Sequence, residues 1–300
     1  MTTESAVQPT NQTIAHVPPW KAYIALAIGI VCIAWSAIWV KWAQVPGSVS
    51  AFYRMLIPAM ILVPMWLIKR PKQLPRTATW LALLGGVFFA FDLLLWNTAI
   101  LITSAANSTL LANNAPLWVG LGSLLLFKER LPRSFWWGMA LALVGVGAIM
   151  GGDVLRHPSL GWGDLLAVSA GMFYAGYLLT TQRARTQLDT LTFMTLGIIV
   201  SVIILLVICW LFGTPLTGYS SQAWWSLLGL GLISHLGGWL AINYALGHIK
   251  ASVASVSLLG QPVLTALFSI PLLGEHLSIE QIIGGTLVLG GIWLVHRKND

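Results

Sequence analysis

The chain has 300 residues, of which 57% are hydrophobic and only 8% charged. A soluble domain carries roughly 25% charged residues. The 16 Lys+Arg and 9 Asp+Glu present cannot cover a soluble surface, so soluble globular, disordered, collagen-like and disulfide-scaffold classes are excluded and an integral membrane protein remains.

Residues 1–19 are polar and lack an apolar stretch after a basic start, which predicts a mobile cytoplasmic tail and not a cleaved signal. A helix needs about 20 apolar residues to cross a bilayer core. Candidate spans follow at 23–40, 49–68, 79–101, 105–127, 134–150, 162–181, 191–212, 222–246, 251–273 and 279–295, which makes ten. The runs are continuous and do not alternate apolar and polar residues as barrel strands do, so an all-α membrane protein is predicted. The tightest connection is Ile102-Thr103-Ser104, between spans three and four. Cys32 and Cys209 lie inside apolar runs and read as buried thiols.

With the N-terminus in the cytoplasm, 13 of the 16 Lys and Arg fall on the cytoplasmic side, among them Lys21, Lys69, Arg76, Lys128, Arg130, Arg133, Arg183, Arg185 and Lys250. The outer side holds Lys41 and Arg156, and Arg54 lies within span two. This is a positive-inside pattern with both termini cytoplasmic. The net charge of +7 is thereby a topology label and does not call for nucleic acid. Trp20, Trp42, Trp66, Trp80, Trp136, Trp137, Trp162, Trp224 and Trp225 fall near span ends, as interfacial anchors do.

A shift of 146 lays residues 97–146 on 243–292 without gaps, with 13 identities in 50. They include Asn97/Asn243, Pro116/Pro262, Glu129/Glu275, Gly138/Gly284 and Gly145/Gly291. Each unit holds five spans, an odd number, so the two units face opposite ways across the membrane. Inverted repeats are a basis of alternating access around a site near the midplane.

Each half runs from a mid-span Pro to Glu-x-Leu, then Gly and a second Gly seven residues on. In the first half this is Pro116, Glu129, Leu131, Gly138 and Gly145; in the second it is Pro262, Glu275, Leu277, Gly284 and Gly291. This pattern resembles the paired EamA domains of the drug/metabolite transporter superfamily. Trp35-Ser-Ala-Ile-Trp39 and Tyr174-Ala-Gly-Tyr177 resemble the family's aromatic first-helix motif, and Arg54 resembles its second-helix Arg. Lys128 stands where the family usually has Gly. The resemblance implies repeats at 20–151 and 152–300. It also implies a cavity ringed by spans one to four and six to nine, with five and ten peripheral. The Trp-rich, paired-Asn fourth span looks most like the YddG-type exporters of aromatic amino acids, which implies export across a bacterial inner membrane.

Arg54, Asp92 and His235 are the ionisable residues at membrane depth, and such residues are costly enough to be functional candidates. Each has a structural alternative: snorkelling or a carbonyl partner for Arg54, a protonated structural carboxyl for Asp92, a hydrogen-bonded imidazole for His235. Helical spacing adds neighbours. Trp96 lies four residues after Asp92, and Trp239 and Asn243 lie four and eight after His235. Span four carries Asn107, Asn114 and Trp118 on one face; span nine carries Ser257, Gln261, Thr265 and Ser269 at steps of four. These polar groups must face protein or water, so they either line a cavity or bond between helices. Trp35, Tyr174 and Tyr177 lie away from the interfaces. The candidate cavity is therefore Trp35, Asp92, Trp96, Asn114, Trp118, Tyr174, Tyr177, His235, Trp239, Ser257 and Gln261, with Asp92 as candidate coupling residue and Pro116 and Pro262 as kinks that gate or statically widen it.

An aromatic-lined site with few polar groups suits a flat, moderately polar solute such as an amino acid, or an organic cation over a Trp face. The expected partners are that small solute and the lipid bilayer, and a monomer suffices. No ATP-binding loop, no His-Glu-x-x-His and no metal-ligand cluster occurs, so no cofactor, metal or catalytic residue is assigned. A channel-like facilitator and an intramembrane enzyme are the rival classes; neither a filter loop nor a nucleophile–base pair supports them.

Overall fold

The computed structural model describes residues 19–69, 71, 74–102, 111–154, 161–273 and 278–297. The expected tail, the turn at Ser104, Asn107, Arg156 and the repeat residues Glu275 and Leu277 lie outside the described residues. So does most of the segment around the boundary expected between the repeats, 155–160.

Apolar runs this long fold as helices because a helix satisfies its backbone internally. In chain order they are α1 Pro19–Ala34, α2 Ser36–Ala43, α3 Gly47–Lys69, α4 Arg76–Ile102, α5 Ala115–Phe127, α6 Arg133–Val154, α7 Trp162–Ala184, α8 Thr190–Leu211 and α9 Ser221–Gly229. A π-helical segment Leu230–Trp239 follows, then α10 Leu240–Leu246, α11 Ala251–Leu258, α12 Gly260–Leu273 and α13 Ile279–His296. Among the described residues, seven rods are long and apolar enough to cross a membrane: Trp20–Ala43, Gly47–Lys69, Arg76–Ala99, Thr190–Leu211, Ser221–Leu246, Ala251–Leu272 and Ile279–His296. Ala115–Phe127 and Arg133–Ile149 are apolar but shorter. α7 is long but carries Asp164, Ser169, Thr180, Thr181, Gln182 and Arg183. It packs on α4 and α5, so much of its surface faces protein and needs less apolar character.

Several expected straight spans are broken. Span one turns at Trp35 between α1 and α2. Pro116 and Pro262, expected in mid-helix, instead lie in the first turn of α5 and α12. Proline lacks the N–H of an interior turn and its ring clashes with the carbonyl four residues back, so the helix opens before it and restarts. The openings are a turn at Asn113–Asn114 and a turn at Leu259. In span eight the α pattern gives way to π winding through His235. Such insertions are rare and frequently occur at functional sites.

Helix packing reveals the relation between the halves. A Cβ on Gly138 would lie 2.6 Å from Gly291 O, and one on Gly291 would lie 2.4 Å from Gly138 O. Gly145 and Gly284 stand in the same relation, with 2.5 Å in each direction. The contacts run 138 to 291 and 145 to 284, so α6 and α13 are antiparallel and glycine lets their backbones touch. This pair has its own core of Phe135, Met139, Val146, Val256 and Val288. The main core lies between α1, α3, α4, α7, α8 and the π segment. Large apolar side chains such as Met60, Leu125, Val144, Ile203 and Leu289 point outward, as a lipid-facing surface requires. Trp20, Trp80, Trp137, Trp162, Trp225 and Trp293 are exposed near helix ends.

Candidate functional site

The centre of the main core is aromatic. Phe89 on α4, Tyr177 on α7 and Trp239 at the end of the π segment form a triangle with centroid separations of 4.6, 4.8 and 5.2 Å. Tyr174 meets Trp239 edge-on at 5.8 Å, and the His235 ring lies 5.6 Å from Phe89 and 6.4 Å from Trp239. Edge-to-face packing of this kind contributes beyond plain burial. Glycine brings the helices close enough: a Cβ on Gly86 would strike Gly197 O at 2.2 Å, and one on Gly238 would lie 2.9 Å from Ile33 Cγ2. Beside the triangle is a cavity of ≈ 20 Å³ touched by Met55, Phe89, Tyr177, Phe193, Ser201 and His235. That volume admits one water and no larger solute.

Charge gathers on one side of this centre. Arg54 on α3 acts electrostatically on Asp92, Tyr174 and His235, and Asp92 acts on Tyr174. The three ionisable residues that stood out at membrane depth thus share one neighbourhood. No hydrogen bond or ion pair joins Arg54 to Asp92 among the described residues, and Arg54 Nε is buried without a partner. Trp118 Nε1, Ser234 Oγ, His235 Nδ1 and Trp239 Nε1 are also buried and unpartnered. Buried polar atoms are usually satisfied, so such a concentration is unusual.

The other candidates divide between two seams. At the first, Trp35 stacks on Trp39 at 5.7 Å and meets Phe268 at 5.5 Å. There Gln261 Nε2 donates to Ile33 O at 3.3 Å, and Thr265 Oγ1 donates to Ala34 O at 3.0 Å. These side chains cover carbonyls next to the break at Trp35. Ser257 Oγ donates within its own helix, to Val253 O. At the second seam Asn114 Nδ2 donates to Leu111 O and Val168 O, which fastens the opening before Pro116 to α7. Trp118 packs partly buried on the main core, and Trp96 is half-buried one turn beyond Asp92.

Toward the opposite end the centre is tied down. Tyr177 and Asn243 hydrogen-bond to each other, and Arg185 Nε donates to Asn243 O at 3.1 Å. Burial pushes Arg185 below the ordinary arginine range, with Asp189 and Tyr244 acting the other way. Burial raises Asp189, but the bonds from Thr192 and the charge of Arg185 outweigh it and hold the carboxyl below its usual value. Further out, Gln182 Nε2 donates to Glu129 Oε1 at 3.2 Å while Gln182 Oε1 accepts from Ala251 N at 2.7 Å. Lys250 Nζ lies 4.0 Å from Glu129 Oε2.

The sequence singled out neither Phe89 nor Gln182. Phe89 was accessible, since it precedes Asp92 by three residues on one helical face. Gln182 gave no local sign, because its partners are 53 and 69 residues away.

The EamA-like transporter family model matches residues 20–151 and 161–297. The transporter YdfC of Bacillus subtilis, itself uncharacterised, is 28% identical over 252 residues, covering 83% of this chain and 81% of YdfC. An uncharacterised transporter of Archaeoglobus fulgidus is 26% identical over 290 residues, 93% of this chain and 98% of that protein. The pseudopaline exporter CntI of Pseudomonas aeruginosa is 25% identical over 218 residues, 72% of this chain and 74% of CntI. A solved crystal structure superimposes with a TM-score of 0.77 at 17% identity, over 94% of this chain and 99% of that one, which shows a shared fold. With both halves matched in turn, the chain belongs to the EamA-like transporter family.

Proposed function

We propose that the protein is a secondary transporter of the bacterial inner membrane that exports small organic solutes, amino acids including aromatic ones. The observation that carries this reading is the aromatic triangle Phe89, Tyr177 and Trp239 beside the ionisable set Arg54, Asp92 and His235. Rings supply a surface for a flat side chain, and the charges supply fixings for polar termini. The exporter among the relatives supports the direction, and the YddG-like fourth span supports the solute class.

In this reading ten spans cross the membrane with both termini cytoplasmic. The antiparallel α6 and α13 support inverted halves, and the Lys/Arg asymmetry supports the orientation. The halves rock about the centre, exposing it to one side at a time. The breaks before Pro116 and Pro262 and the π segment are the points that flex. Asp92 carries the coupling proton. A second reading, export of organic cations, is favoured by the Asp92 carboxyl standing four residues, about one helical turn, from Trp96 on α4.

Purified protein in liposomes, preloaded with unlabelled tryptophan, should take up labelled tryptophan and phenylalanine by saturable counterflow. Absence of exchange for every amino acid tested overturns the reading, as does a chemically altered product. Asp92→Asn should abolish the pH dependence of flux; pH-dependent flux that persists removes Asp92 from the coupling role.

A further inference from the structure

Arg54 is a permanent charge at membrane depth that none of the described residues neutralises by an ion pair or hydrogen bond. It lies on α3, seven residues from the helix start at Gly47. A snorkelling arginine would turn toward the interface and find water or headgroups. Arg54 has an Nε inside the protein with no acceptor, and its charge acts on Asp92, Tyr174 and His235. The preceding residue is fixed at that depth: Tyr53 OH donates to Leu216 O at 2.8 Å, and its ring meets Trp224 at 5.0 Å. The following residue, Met55, is buried and borders the small central cavity. The turn that carries the guanidinium is therefore held beside the aromatic centre.

We propose that Arg54 is the carboxylate anchor of the site and Asp92 its ammonium partner, so that the substrates are zwitterionic α-amino acids. This rests on the transport reading above. A guanidinium offers a planar fork of donors that matches a carboxylate in two parallel hydrogen bonds. Asp92 sits three residues after Phe89, about one turn along α4 from the aromatic triangle, and among the described residues no hydrogen bond or ion pair joins it to the unpartnered Arg54, so a zwitterion can set its carboxylate on one and its ammonium on the other. Tyr174, which feels both charges and packs on Trp239, joins this pair to the aromatic triangle that takes the side chain. Net charge excludes other classes. An organic cation meets repulsion at Arg54, a dianion meets it at Asp92, and only a solute carrying one charge of each sign satisfies both.

The test is competition against counterflow of labelled tryptophan by tryptophan, tryptophanamide, tryptamine and indole-3-propionate. In the wild type, tryptophan should compete roughly 10- to 100-fold better than the amide or the amine. Arg54→Gln protein with a native elution profile and unfolding temperature should lose that preference while still responding to tryptamine. Arg54→Lys, which keeps the charge and loses the fork, should keep part of it. Equal competition by tryptophan and tryptamine in the wild type overturns the proposal, and so does an undiminished preference in Arg54→Gln. Should Arg54→Gln fail to fold, the wild-type panel and Arg54→Lys decide, an undiminished preference in Arg54→Lys again counting against the anchor. A wild type that moves no amino acid fails the transport reading instead, and one that moves leucine but no aromatic amino acid loses the aromatic preference. Leucine, leucinamide and isoamylamine then decide Arg54 alone, with equal competition among them overturning it.

Discussion

Tyr177 and Asn243 exchange two hydrogen bonds: the phenol donates to Asn243 Oδ1 at 3.0 Å, and Asn243 Nδ2 donates to the phenol oxygen at 2.8 Å. Both residues are buried, and the same tyrosine ring packs on Phe89 and Trp239. The pair thus joins α7 to α10 at the base of the aromatic centre. Tyr177→Phe keeps the ring and strands the asparagine amide. The expected cost is about 1–3 kcal/mol, the penalty for a buried amide without a partner. Thermal unfolding in detergent should show a lower midpoint; an unchanged midpoint would mean that the bond contributes nothing.

Gln182 bridges the end of α5 and the start of α11, the first repeat to the second. Under the proposed transport reading, a solute leaving toward that end parts this bridge. In a background without Cys32 and Cys209, Ser257→Cys places a buried thiol behind it. Adding Gln182→Ala should speed maleimide labelling of that thiol roughly tenfold, the effect of losing about one hydrogen bond's worth of closure. Equal labelling rates would show that Gln182 does not hold the end shut.

The glycine seam between α6 and α13 leaves no room for a side chain. Gly138→Leu sets a Cβ 2.6 Å from Gly291 O, a backbone atom that cannot swing aside. A loss of about 3 kcal/mol or more is expected, visible as poor recovery of monodisperse protein. Gly161, with nothing within 4 Å of its notional Cβ, is the control; Gly161→Ala should change stability by less than about 0.5 kcal/mol.

Asp189 caps α8 by accepting from Thr192 N at 3.0 Å and Thr192 Oγ1 at 2.7 Å. Its carboxyl is held below the usual aspartate range, so the folded state favours the ionised form. The stabilisation is therefore present above the unfolded value and lost as pH falls through the lowered folded value. Asp189→Ala should cost about 1 kcal/mol at neutral pH. The gap in unfolding midpoint between the two proteins should close below about pH 4; a gap that widens in acid contradicts the cap.

Architecture was legible because apolar length and the spacing of Gly138, Gly145, Gly284 and Gly291 are local properties of the chain. The candidate site was picked out by cost: Arg54, Asp92 and His235 are out of place in lipid, and they share one neighbourhood. The breaks were only half legible. Pro116 and Pro262 marked the right turns, but a proline's mark does not say whether the helix bends or restarts. The restart at Trp35 had no proline at all. It depends on Gln261 and Thr265, more than 220 residues away, to cover Ile33 O and Ala34 O. The π segment carries the apolar composition of its neighbours. Its course is set by close contacts at Gly231 with Ile57 and Gly238 with Ile33, which no local window contains.

Gly138 meets Gly291, and Gly145 meets Gly284. The sequence repeat equates Gly138 with Gly284 and Gly145 with Gly291. Exchanging the halves therefore turns each contact into the other, which is the defining property of an isologous interface between identical subunits. In effect the polypeptide is a dimer written as one chain. A first half freed from the second would offer an upside-down copy of itself the same glycine seam. Fusion fixes the ratio and the opposed orientations of the two halves, and it lets one end keep a fastening such as Gln182 that the symmetry does not impose on the other.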